Sequence, residues 1–187
     1  YEYLEAVLEP VHARGIPWAH VFGNHDREAG MSNARQQAVY ERFALCLSSA
    51  GPDGVSGVGN YCLPVLSSGD DSVAYHIWAL DSGREITDYI EAFSLPDDEK
   101  IILPACFGYG KVQASPLFDQ VLWYYNESAR LEKQYGRKIP AVMAMHVPII
   151  EFCLVVRNPE ECGMTGSARE DVFCSEMNSG LFMACLQ

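Results

Sequence analysis

A chain of 187 residues that is 49% hydrophobic is long and apolar enough to bury the core of one domain. Its 13 basic against 25 acidic residues, a formal charge of −12, exclude the concentrated basic surface that sequence-independent binding to nucleic acid or an anionic membrane requires. The longest apolar run, 141 to 156, is broken by His146, Pro148 and Glu151 and is not a membrane span.

Residues 1 to 15 predict a helix with Leu4, Val7, Leu8 and Val11 on one face, a kink at Pro10, a stop at Gly15, and His12 facing solvent. Trp18, His20 and Phe22 then alternate with Ala19 and Val21, the period of a strand. Gly23 lets the backbone turn, and Asn24, His25 and Asp26 follow at once. An amide oxygen, an imidazole and a carboxylate side by side can ligate a metal and handle a proton, although the same residues are also ordinary turn formers.

Ser32 caps a predicted helix whose Val39, Phe43, Cys46 and Leu47 recur at helical spacing, a core stripe. Gly57-Val58-Gly59 lacks the third glycine and the following helix of a phosphate loop, so 51 to 60 reads as a turn-rich connection. Residues 61 to 66 and 73 to 80 predict antiparallel strands joined by 67 to 72, with His76 structural and Asp81 at the end of the second strand, where it either points toward a site or, the favoured reading, closes a turn. In the irregular stretch 94 to 114, Tyr109 and Lys111 are candidates for a substrate entrance.

Ser115-Pro116 opens the clearest helix, 117 to 135, stopped by Gly136 and burying Leu117, Val121, Tyr124 or Tyr125, and Leu131. The apolar run 140 to 145 has the pattern of a strand covered on both sides and delivers His146 to its end. A histidine there is more often a core residue than a ligand. Yet Asn24 and His146 each follow the carboxyl end of a predicted strand, the edge where open α/β sheets assemble sites. Glu151 is placed to fix the loop after Pro148.

Seven cysteines never fall as Cys-x-x-Cys, which removes zinc-finger and thioredoxin-type patterns. Cys162 and Cys174 flank a polar loop and could pair in an oxidising compartment, but buried reduced cysteines fit equally well, so the compartment stays open.

Six stretches in order carry a resemblance. They are Gly15-Ile16-Pro17-Trp18, Gly23-Asn24-His25-Asp26, Gly57-Val58-Gly59-Asn60-Tyr61, Leu80-Asp81-Ser82-Gly83, Met145-His146-Val147-Pro148 and Cys174-Ser175-Glu176-Met177-Asn178-Ser179-Gly180. Together they resemble the calcineurin-like metallophosphoesterases, and within them the purple-acid-phosphatase-like group of fungi and plants. The resemblance covers nearly the whole chain. It implies a four-layer α/β/β/α sandwich and a dinuclear centre, iron with zinc or manganese, that hydrolyses a phosphorylated substrate.

Residue by residue, the resemblance makes Asn24 and His146 ligands of one metal. His25 becomes the histidine that contacts phosphate and protonates the leaving oxygen, and Asp26 a support for the ligands. The family's Asp-x-His and Gly-Asp motifs, expected before Gly23-Asn24-His25-Asp26, are not among the 22 residues that precede Gly23, and its closing Gly-His-x-His does not follow Asn178-Ser179-Gly180 within these 187 residues. The chain, 1 to 187, therefore reads as the central part of a single domain, incomplete at both ends and unable to hold two metals stably alone. The other reading is a degenerate relative that serves as a structural or interaction subunit for a protein partner. A thiol enzyme has no Cys/His/Asp constellation behind it.

Overall fold

Alternating apolar residues on either side of a Ser/Gly/Asp turn set the first two strands. β1 (Tyr61–Leu66) and β2 (Val73–Ala79) pair antiparallel from Tyr61 opposite Ala79 to Leu66 opposite Val73. β3 (Ala141–Ala144) joins β2 in parallel, giving the sheet order β1-β2-β3. The computed structural model describes residues 2–28, 30–83, 115–166, 172, 174, 175 and 177–187. Tyr109, Lys111 and Glu176 lie outside the described residues. Five helices complete them: α1 (Glu2–His12), α2 (Asn33–Tyr40), α3 (Phe118–Tyr135), α4 (Glu151–Arg157) and α5 (Leu181–Cys185). The chain is thus mixed α/β, as expected.

The long helix forms where the Ser-Pro and Gly signals put it. α3 ends at Gly136 in the left-handed conformation, φ 68°, which an L side chain would resist. It buries Gln120, Val121, Tyr124 and Leu131, while Tyr125 is 44% exposed, which decides between the two tyrosines. Val121, Tyr124 and Leu131 meet Trp78 and Leu80 from β2 and its extension, and Leu181 from α5. Each fully buried large apolar side chain contributes roughly 1.5–3 kcal/mol, so this cluster is what holds α3 on the sheet.

Several expectations are corrected. The segment 18 to 22 is not a ladder strand; it makes one parallel bridge, with Trp18 N–H donating to Leu45 O at 3.0 Å and Leu47 N–H donating to Trp18 O at 2.8 Å. Its alternation survives, with Phe22 buried and Ala19 exposed, because the side chains rather than a backbone partner fix it. Trp18, His20 and Phe22 pack against Tyr40, the His20 and Tyr40 rings lying edge-on at 4.4 Å.

The helix capped by Ser32, whose Oγ accepts from Arg35 N–H, ends at Tyr40 and not near 47. The chain must turn there to bring Cys46 beside Trp18, which leaves Leu47 exposed. Among the described residues β3 lies at one edge of the sheet, with Ala141 and Val142 exposed, so the expected cover on both sides is not seen there. No described residue of α1 is buried, and His12 packs edge-on against Phe43 at 5.5 Å instead of facing solvent. Cys162 is exposed and Cys174 lies against Cys153, so the Cys162–Cys174 pairing is not formed. His76 is buried against Trp78 and Tyr135, a structural position, and burial lowers its pKa.

Beyond β2 the chain turns on buried polar groups. Asp81 closes the expected turn by accepting from Gly83 N–H at 2.9 Å, and its other oxygen accepts from Val58 N–H at 2.8 Å. The glycine-rich loop therefore spends an amide on a carboxylate of its own chain. Gln120 Nε2 donates to Asn60 Oδ1 and to Asp81 O, both at 2.8 Å, while its Oε1 accepts from Leu117 N–H at 2.7 Å. Asn60 Oδ1 also accepts from Asp81 N–H at 3.1 Å, so three buried polar side chains lock β1, β2 and α3 into one frame.

Candidate functional site

Phe22, fully buried, anchors the turn that follows it. Asp26 reaches back to accept from Gly23 N–H, and Gln36 of α2, itself buried, donates from Nε2 to Asp26 O at 2.6 Å and to Met31 O at 3.0 Å. The Asp26 carboxylate is thus engaged in shaping the turn. The cap at Ser32 fixes α2, and α2 fixes the turn.

On the other side, Ser82 just past β2 accepts from Val147 N–H at 2.8 Å in a buried contact. That bond sets the residue directly after His146. Glu151 Oε1 accepts from Asn178 Nδ2 at 2.8 Å, fastening the loop after Pro148 to the 178 segment. The turn after Phe22 and the end of β3 then meet. His146 Nε2 donates to Asn24 Oδ1 at 2.9 Å across 122 positions of sequence.

Gly23 makes this approach possible: a Cβ there would lie 3.2 Å from His146 Cδ2 and 3.3 Å from Asp26 Oδ2. His25, exposed on the same turn, donates from Nδ1 to Glu28 Oε1 at 2.6 Å. The carboxylate keeps a proton on Nδ1 and leaves Nε2 as the nitrogen that can meet a substrate oxygen. Glu28 escaped the sequence reading, and the signal for it was a carboxylate three residues past His25.

His20 shows how a neighbouring histidine differs. Its Nδ1 is 2.7 Å from Ser48 Oγ, its buried Nε2 has no hydrogen-bond partner, and burial pushes its pKa down to about 4 against the opposing pull of Asp26. It is a neutral packing residue. Among the described residues no group of three or more His, Cys, Asp or Glu side chains is placed to hold a metal ion. Asn24 and His146 do fit as part of such a set. Both atoms are of types that ligate metals, and at 2.9 Å they stand at an ordinary hydrogen-bond distance.

The turn after Phe22 and the end of β3 thus bring an amide oxygen and an imidazole together. Comparison with known proteins finds relatives of the chain. "Probable inactive purple acid phosphatase 14" of Arabidopsis thaliana is 25% identical over 195 residues, covering 96% of this chain and 43% of its own length. "Probable inactive purple acid phosphatase 29" of the same plant is 25% identical over 194 residues, 96% of this chain and 44% of its own. "Phosphatase DCR2" of Saccharomyces cerevisiae is 36% identical over 89 residues, 45% of this chain and 15% of its own. The chain is therefore a relative of purple-acid-phosphatase-like proteins, and it spans less than half the length of these curated relatives. No family model matches the chain. No solved structure matches it.

Proposed function

We propose that the complete protein is a metal-dependent phosphomonoesterase and that this chain supplies the central part of its single domain, within a four-layer α/β/β/α sandwich. The observation that carries this reading is the 2.9 Å contact between Asn24 Oδ1 and His146 Nε2, with His25 adjacent. In the proposed site Asn24 and His146 are two ligands of one metal of a pair, iron with zinc or manganese. When bound, such a pair neutralises phosphate oxygens and lowers the pKa of a water to give the attacking hydroxide.

This chain's own residues do the rest of the work assigned here. Asp26 and Gln36 hold the turn so that Asn24 keeps its position. Ser82, through Val147, does the same for His146. His25 contacts the phosphate and, in its doubly protonated form with Nδ1 held by Glu28, donates the Nε2 proton to the leaving oxygen, a general-acid role typically worth ~10²–10⁴-fold. The remaining ligands come from residues beyond those described, since two donors fall short of the three or four a stable site needs.

The test uses the complete protein. His25→Ala is expected to lower phosphomonoester turnover more than tenfold with metal content unchanged; unaltered turnover removes His25 from the mechanism. A second reading, an inactive structural or interaction subunit with a protein partner, is favoured by one observation: two of the relatives carry "probable inactive" in their names. Absence of both metal and turnover in the wild-type protein selects it.

A further inference from the structure

The proposed reaction leaves two buried sulfurs unused. Cys153 on α4 is 6% exposed and Cys174 is 2% exposed; both are free thiols in the structure, with their Sγ atoms 3.0 Å apart. Even two unbonded carbons rest about 3.5–4.0 Å apart, and sulfur is larger, so this is closer than ordinary packing brings two side chains. The same two segments are tied again a short way along, where Glu151 takes Asn178 at 2.8 Å. The polar bond and the sulfur contact therefore hold one seam, between α4 and the stretch that leads into α5.

We propose that Cys153 and Cys174 form an intramolecular disulfide that fastens α4 to the 174–180 segment. The oxidant is a small-molecule disulfide of the glutathione class. One cysteine thiolate attacks a sulfur of the oxidant and releases one small thiol; the second attacks the mixed disulfide and releases the other. Two electrons pass from the cysteines to the oxidant, and the two cysteine protons end on the released thiols. Because both sulfurs are buried in the folded chain, the exchange takes place during folding.

The cross-link closes a loop of 21 positions and restricts the unfolded chain accordingly. It also pins the helix that begins five residues after His146, so the cross-link bears on the strand end that carries this histidine. Cys162 lies inside the same loop and is exposed, which makes it the competing thiol.

The complete protein is refolded with glutathione disulfide, blocked with an alkylating reagent and digested with trypsin, which cuts after Arg157 and Arg169 and so separates Cys153, Cys162 and Cys174. The expected product is one linked pair joining peptide 139–157 to the peptide that begins at 170, with fragmentation placing the bond at Cys174 and Cys162 recovered alkylated. Reduction is expected to lower the Tm by several degrees in wild type and in Cys162→Ser, and to leave it unmoved in Cys174→Ser. A Cys162–Cys174 peptide, or recovery of Cys153 and Cys174 both alkylated, overturns the proposal. The wild-type peptide map decides even where a variant fails to fold.

Discussion

Asn60, Asp81 and Gln120 are buried and spend their polar atoms on one another and on nearby backbone, whereas Asn24, His25 and His146 stand at or near the surface with Gly23, Glu28 and each other for company. Both groups are polar and both sit where strands end. The buried group must be fully satisfied, because each unmatched atom there costs about 1–3 kcal/mol. The surface group keeps lone pairs within reach of solvent, which a ligand set requires. The first kind of polarity makes the frame; the second is available for chemistry.

The comparison breaks most sharply at Gln120, which is 0% exposed. Gln120→Leu removes one of the two donors to Asn60 Oδ1, strands Asp81 O and Leu117 N–H, and is expected to cost about 3 kcal/mol, read by urea unfolding. Next is Gly57→Ala. Gly57 has φ 83° and a Cβ there would lie 2.9 Å from Asp81 Cβ, so a loss of about 1–3 kcal/mol is expected in the same assay.

His20 gives a smaller, pH-dependent effect. Its folded pKa of about 4 lies below the ordinary 6.5, so the unfolded chain binds the extra proton first. Stability is therefore complete above about 6.5 and falls as pH drops toward 4. His20→Phe is expected to flatten that slope in unfolding curves taken across the window. The smallest effect on stability belongs to the surface group. Asn24→Ala is expected to change unfolding by less than about 0.5 kcal/mol, while metal analysis of the complete protein shows reduced content.

Where side chains alone decide the outcome, the sequence is a good guide. The β1–β2 hairpin follows from alternation with a polar turn, and α3 from Ser-Pro at one end and Gly136 at the other. The meeting of Asn24 with His146 was foreshadowed too, since Gly23-Asn24-His25-Asp26 and His146 stand out as polar residues that interrupt apolar runs. What was hidden depends on neighbours distant in sequence. Residues 18 to 22 alternate like a strand, but among the described residues they pair only with Cys46. Residues 141 to 144 are apolar like an inner strand yet lie at an edge. Gln120 looks like a solvent-facing helix residue until Asn60 and Asp81 are brought to it.

That edge has a consequence of its own. β3 pairs with β2 along one side, and among the described residues no strand lies along the other, where Val142 is 49% exposed. Open amides and carbonyls beneath apolar side chains are where a foreign strand adds and where aggregates begin to grow. A charge at Val142 would guard that side of the sheet against such addition.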